Sequence, residues 1–245
     1  MKKIIAFIIL TLISFNSFAN DNAKKVIELI IKDEIDIFSQ GGKARLNNYI
    51  PIVNASQLIS KYKNNQYKYE KEFDNQIVNI KTRASGVKTD LFGDAYVEAN
   101  GNNEFEYVSL ELKNKDDAIN INKGDKIDMI CVGTKNNIIF PTLENCVTTD
   151  SYFQKFLKVT MKDINKLKKN AKPRNMFEFY YLILWEIEIK NPGKLDKFKT
   201  ISEVQEFRTV IEEIATDLSR EGETLWKSYP EETIKKLGEF RMPKP

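Results

Sequence analysis

Apolar positions along the chain change period twice, and each change marks a different kind of element. In DNAKKVIELIIKDEIDI, residues 21–37, Val26, Ile27, Ile30 and Ile31, with Ile35 less regular, fall on one helical face, and Gly41 and Gly42 close the pattern. A second helix is expected from Asn54, a good N-cap, through ASQLISKYKNN, with Leu58, Ile59 and Tyr62 as its apolar positions. The period then falls to two. NQIVNIKTRASGVKT, DAYVEANG and EFEYVSLELK are β-rich runs separated by Gly, Asn and Asp, and the last alternates Val108, Leu110 and Leu112 against Ser109, Glu111 and Lys113. After the polar stretch NKDDAININKGD come KIDMICVG and NIIFPTLENC, joined by turn residues 134–137. Five strands with an insertion between the third and fourth have the order of a small Greek-key barrel.

Beyond Cys146 the pattern is helical to the end. DSYFQKFLKVTMKDINKLKKN spaces Phe153, Phe156, Leu157, Thr160, Ile164 and Leu167 along one face, and the aromatic-rich NMFEFYYLILWEIEIKN closes at Pro192 and Gly193. A further helix is expected over 201–221, where Val204, Phe207, Ile211, Ile214 and Leu218 step by three and four. Thr200 with Glu203 forms a capping box before it, and Gly222 stands where a helix C-terminus favours glycine. A short helix beginning at Pro230 precedes a tail, RMPKP, that cannot extend it.

The first residues, MKKIIAFIILTLISFNSFA, have two lysines, an apolar run and small residues at Ser17 and Ala19, the form of a secretory signal peptide over 1–19. The apolar run is shorter than the roughly 20 residues that span a bilayer, so a transmembrane segment in the mature chain is not expected. The expected location is the periplasm, or else the exterior. Lys and Arg total 38 against 35 Asp and Glu. Removal of Lys2 and Lys3 with the leader brings the mature net charge close to +1, so no clustered excess argues for strong nucleic-acid binding. There is no histidine at all. Ser-His-Asp, Cys-His and HExxH chemistry is thereby excluded, and no phosphate-cradling glycine motif is present. No cofactor or metal is expected, and no calcium-loop spacing occurs among the acidic residues.

The segment from NASQLISKYKNNQYKYEKEF through the KGDKIDMICVG strand to the closing LENC resembles the tRNA-anti-like OB-fold family. The positions that carry the likeness are Leu58, Tyr62, Asn65, Tyr69 and Phe73, then Gly86 and Val87, then Lys123, Gly124, Asp125, Ile127 and Gly133, and finally Leu143 and Cys146. The resemblance covers about residues 54–147. It implies a five-stranded barrel and leaves the ligand open, because a fold does not carry a function with it.

Four groups of residues are candidates for chemistry. Cys131 and Cys146, on paired strands of an oxidising compartment, read as a structural disulfide, with two buried free thiols as the plainer alternative. OB-folds bind across strands two and three, and Lys81, Arg83, Tyr96 and Tyr107 are placed near such a face, where ordinary surface is the plainer reading. Glu98, Glu106 and Glu111 on the same strands would repel a nucleic-acid backbone. The basic run Lys162, Lys166, Lys168, Lys169, Lys172 and Arg174 could hold phosphate or anionic headgroups, or be the solvated face of an amphipathic helix. MFEFYYLILWEIEIK carries Glu178, Glu186 and Glu188 and reads as the central helix of a small bundle rather than a membrane-inserting one; Trp185 and Trp226 read as core.

The expected fold class is α+β. It comprises a signal peptide over 1–19, an N-terminal helical segment over 20–53, a five-stranded OB-type β-barrel over 54–147 and an all-α domain over 148–245. The expected function is a non-enzymatic binding or interaction protein whose partner is another envelope or extracellular protein or a glycan. The competing classes are a carboxylate-based hydrolase of an envelope polymer, which needs no histidine, and a binder of anionic lipid or nucleic acid.

Overall fold

The computed structural model describes residues 2–135, 139–200, 202–203 and 241–245, with side chains from residue 20 onward. The expected helix over 201–221 apart from residues 202–203, the helix from Pro230, Trp226 and turn residues 136 and 137 lie outside the described residues. Helix α1 runs through Lys2–Ser39, so the helix expected to begin near residue 22 is continuous with the segment before it. Among the described residues, no helix is long and apolar enough to cross a membrane.

The chain divides into two compact units, each discontinuous in sequence. One comprises Met1–Ile37 and Leu157–Arg241, the other Phe38–Phe156 and Met242–Pro245. The serial boundaries expected at 53/54 and 147/148 therefore do not coincide with those of the units. In the first unit, α4 (Met176–Lys190) is buried nearly all round, through Phe177, Phe179, Tyr181, Leu182, Leu184, Trp185 and Ile187. Its two buried carboxylates are both engaged. Glu178 accepts from the Arg174 guanidinium at 2.6 Å, and Glu188 accepts from the backbone N–H groups of Gly193 and Leu195 at 2.7 and 2.8 Å.

In the second unit, α2 (Ala55–Asn64) starts at Asn54, whose side chain accepts from the Gln57 backbone at 2.9 Å while the Gln57 side chain accepts from the Asn54 backbone at 3.0 Å. Asn65 leaves the helical region and caps a second helix, α3 (Gln66–Phe73), by accepting from Lys68 N at 2.9 Å. The break at Asn65 reorients the chain so that the Tyr69 ring meets Tyr62 edge-on at 5.3 Å and Phe73 at 4.8 Å between centroids.

Among the described residues the sheet has seven strands, not the five expected, and in hydrogen-bond order it is open. The strands are β1 (Ile52–Val53), β2 (Ile77–Arg83), β3 (Gly86–Thr89), β4 (Ala95–Asn100), β5 (Tyr107–Leu112), β6 (Lys126–Gly133) and β7 (Thr142–Thr148). They lie in the order β1-β2-β6-β7-β5-β4-β3, with β5 and β7 parallel. Two strands come from one run expected to be continuous. Ala84 exchanges backbone hydrogen bonds with Gly124 and Asp125 beside β6, whereas Ser85 N donates to Glu98 O on β4. The chain thus changes partner between residues 84 and 85. One face of the sheet packs Val78, Ile80, Val97, Ala99, Val108 and Leu110 against Leu58 and Tyr69 of the helices.

Cys131 on β6 and Cys146 on β7 form a disulfide, and both are buried. A β-bulge makes the pairing possible. Ile130 pairs with Val147 but Val132 pairs with Glu144, so β7 holds one extra residue there, and Asn145 takes it up at φ 55°. Leu143 and Cys146, three apart, would otherwise point to opposite faces; with the bulge both reach the core.

Candidate functional site

The face of β4, β5 and β7 opposite the core is a concave groove. Period-two alternation alone decides which side chains reach it. On β5, Val108, Leu110 and Leu112 go inward, which turns Tyr107, Ser109 and Glu111 outward; on β4, Tyr96 stands opposite Glu111 and Glu98 opposite Ser109. Beside them on β7 come Thr142, paired with Ser109, and Glu144. The groove encloses about 550 Å³, within the ordinary range for ligand sites.

Two loops border it. Residues 90–94 form a tight turn in which the Asp90 carboxylate accepts from the backbones of Phe92 and Asp94, both at 2.8 Å, and Gly93 takes a positive φ of 84°. The turn leaves Leu91 and Phe92 at its tip 101% and 91% exposed. The segment before β7 supplies Ile139, 70% exposed, and Phe140, whose ring lies 5.0 Å from that of Tyr107.

The charge of the groove is negative. Asp90, Asp94, Glu111 and Glu144 line it against Lys113 and Lys115. Both lysines are engaged, Lys115 with Asp94 and Lys113 with the Pro245 oxygen at 2.7 Å. Glu111 and Glu144 make no hydrogen bond or ion pair among the described residues. Enclosure by the groove, then the like charges of Glu144 and Asp90, hold the Glu111 carboxyl above its ordinary 4.5, with Lys115 pulling the other way. Burial and then Glu98 likewise push the Tyr96 phenol up.

Of the residues singled out in the sequence, Tyr96 and Tyr107 line this groove. Lys81 and Arg83 do not. Lys81 donates to Ser39 O at 2.8 Å and pairs with Asp128 at 3.3 Å, while Arg83 donates to Gly124 O at 2.8 Å; both are tied to backbone along the β2 and β6 side of the sheet. Glu106 is also taken up elsewhere, since its hydrogen bond from Lys63 at 2.7 Å holds it below the usual carboxylate range. The basic run is exposed, but two of its members are committed: Lys169 pairs with Glu186 at 3.4 Å, and Arg174 neutralises Glu178 and pairs with Asp163 at 3.5 Å. Arg174 is thus an internal counter-ion rather than part of an anion site. Sequence reasoning missed Phe140, Glu144 and the tip at Leu91 and Phe92. Two large apolar residues inside a turn bracketed by Asp90, Gly93 and Asp94 were a visible signal, because such positions ordinarily favour small polar residues.

Among the described residues, no group of three or more Cys, Asp or Glu is placed to hold a metal ion. No curated protein and no solved structure matches the chain. A family model does match, over residues 1–147, which is wider than the likeness read from motifs and includes every strand but the last residue of β7. With more than half its length so matched, the chain belongs to the tRNA_anti-like family.

Proposed function

We propose that this protein is an exported, non-catalytic binding module that holds its ligand across the outer face of β4, β5 and β7. On this reading β2 and β3 are two halves of one bent strand, and the sheet works as an OB-type barrel with the groove on its binding face. The leader-like start of the chain supports export to the periplasm or beyond. The observation that carries the reading is the groove itself: a concave sheet face with two aromatics in contact, Tyr107 and Phe140, and two carboxylates without a hydrogen-bond or ion-pair partner among the described residues. The family's name points toward nucleic acid, but the charge of this groove weighs against a phosphate backbone.

Photo-crosslinking in cells tests the proposal. A crosslinking amino acid at Tyr107 should trap a discrete partner that the same probe at Lys158, on the exposed side of the helix after β7, does not. Equal trapping at both positions, or none at Tyr107, would overturn it. A second reading, carboxylate-based hydrolysis, is favoured by one observation: Glu111 is raised beside Glu144, the environment in which a carboxylic acid serves as proton donor. Turnover of an envelope glycan by the purified protein, abolished in Glu111→Gln, would establish that reading instead.

A further inference from the structure

We infer that the groove takes an extended, lysine- or arginine-bearing polypeptide segment of a partner protein, with its cations on Glu111 and Glu144 and its apolar side chains against the rim. The inference rests on the groove being the binding face, and it specifies what that face accepts. Charge complementarity selects the occupant. Lys115 is already matched by Asp94, Lys113 donates to the Pro245 oxygen, and Asp90 caps its own turn, which leaves Glu111 and Glu144 as the carboxylates available to a ligand. They lie on neighbouring strands, and after burial the charge of Glu144 is the main influence that holds the Glu111 carboxyl above its ordinary value, so a cation placed between them relieves that like-charge repulsion. A polyanion would add to that repulsion.

The rim says that the ligand is larger than a single amine. Leu91 and Phe92 project from a turn braced by the Asp90 carboxylate, and Ile139 projects from the opposite loop. Exposed apolar side chains on the turn and the loop that border a polar groove are the anatomy of a protein-contact surface, with apolar anchors around a charged centre. A peptide alternating cationic and apolar side chains in extended form satisfies both at once.

Fluorescence anisotropy with the full chain provides the test. The probes are a labelled 12-residue peptide alternating Lys with Leu and Phe, its counterpart with Glu in place of Lys, and a 12-residue oligothymidylate. The basic peptide should bind saturably and more weakly as salt rises; Glu111→Gln with Glu144→Gln should weaken it about tenfold, and Leu91→Asp with Phe92→Asp should weaken it as well. All four substitutions are outside the core, and an unchanged far-ultraviolet circular dichroism spectrum confirms the fold. Basic-peptide binding that ignores the two carboxylate changes overturns the inference. So does tighter binding of the acidic peptide or the oligonucleotide; if Tyr96→Ala and Tyr107→Ala weaken that binding, the groove remains the binding face and only the ligand class is wrong. If no probe responds to the tyrosine changes, both the inference and the reading beneath it fail.

Discussion

Gly133 is the last residue of β6, and its smallness is a packing requirement rather than a matter of backbone freedom. A Cβ built on it would stand 2.2 Å from the carbonyl oxygen of Phe73 and 3.0 Å from its carbonyl carbon, at the end of α3. That oxygen already accepts from Gln76 N at 2.9 Å, while Gly133 donates to Gln76 O and accepts from Asn75 N at 2.8 and 2.9 Å. Two backbone hydrogen bonds between the segments, and one within the 73–76 turn, therefore hold them at a distance that alanine cannot share. Relief takes roughly 1 Å of backbone movement, with overpacking of about 1–3 kcal/mol and one weakened hydrogen bond of about 1 kcal/mol, so Gly133→Ala is expected to cost about 2–4 kcal/mol.

Gly101 is the internal control. Its Cβ would come 2.7 Å from Ile59 Cδ1, the far end of a flexible side chain, so Gly101→Ala should cost under about 1 kcal/mol. Because the chain has two units, global unfolding need not be a single transition, and hydrogen exchange read by mass spectrometry on peptides covering 66–83 and 126–133 is the suitable assay. Gly133→Ala should raise exchange there and leave 176–190 unchanged. If it protects those peptides as well as Gly101→Ala does, the close-approach argument is wrong.

Three other outcomes are expected. Replacing both Cys131 and Cys146 with Ala opens a loop of sequence separation 15 and should lower stability by about 3 kcal/mol in urea unfolding, and a loss under about 1 kcal/mol would contradict it. Tyr69→Phe removes a buried hydroxyl that finds no partner among the described residues, so the unfolding temperature should hold or rise, by up to about 1 kcal/mol of stability, and a clear fall would refute the assignment. Glu111 has a folded-state pKa raised above 4.5, so its effect favours the fold below that pH and is lost as pH rises through the raised value; Glu111→Gln should therefore be more stable than the wild type at pH 7, with the gap closing toward pH 4, and a constant gap would count against it.

What the sequence disclosed was local. The alternation of β5 could be read directly because one face of it is core and the other open, and the Asn54 cap was visible because its reciprocal partner, Gln57, sits three residues on. Helix α3 was not legible: in QYKYEKEF only Tyr69 and Phe73 are buried, too few positions to display a period. Lys81 and Arg83 were misplaced for a topological reason. They belong to a run that looks continuous, yet its partner changes between residues 84 and 85, which sends 77–83 to β6 and only 86–89 to β4, beside the tyrosines. No short-range signal distinguishes those two neighbours. Leu143 and Cys146 were equally opaque, because a spacing of three fits no strand unless a bulge is supplied.

That bulge joins the staple to the groove. Without the extra residue, β7 would turn Cys146 to the side where Glu144 stands, and the sulfur could not meet Cys131 in the core. With it, Glu144 and Asn145 both fall on the groove side, immediately before a half-cystine that pairs with Leu112 of β5. Asn145 is suited to the position, since asparagine tolerates a positive φ better than most side chains. The disulfide lies at the level of β7 where the bulge must be held, and it fixes there the strand that supplies one of the groove's two carboxylates without a partner among the described residues. A covalent bond in the core and a charge on the surface are thus consequences of the same added residue.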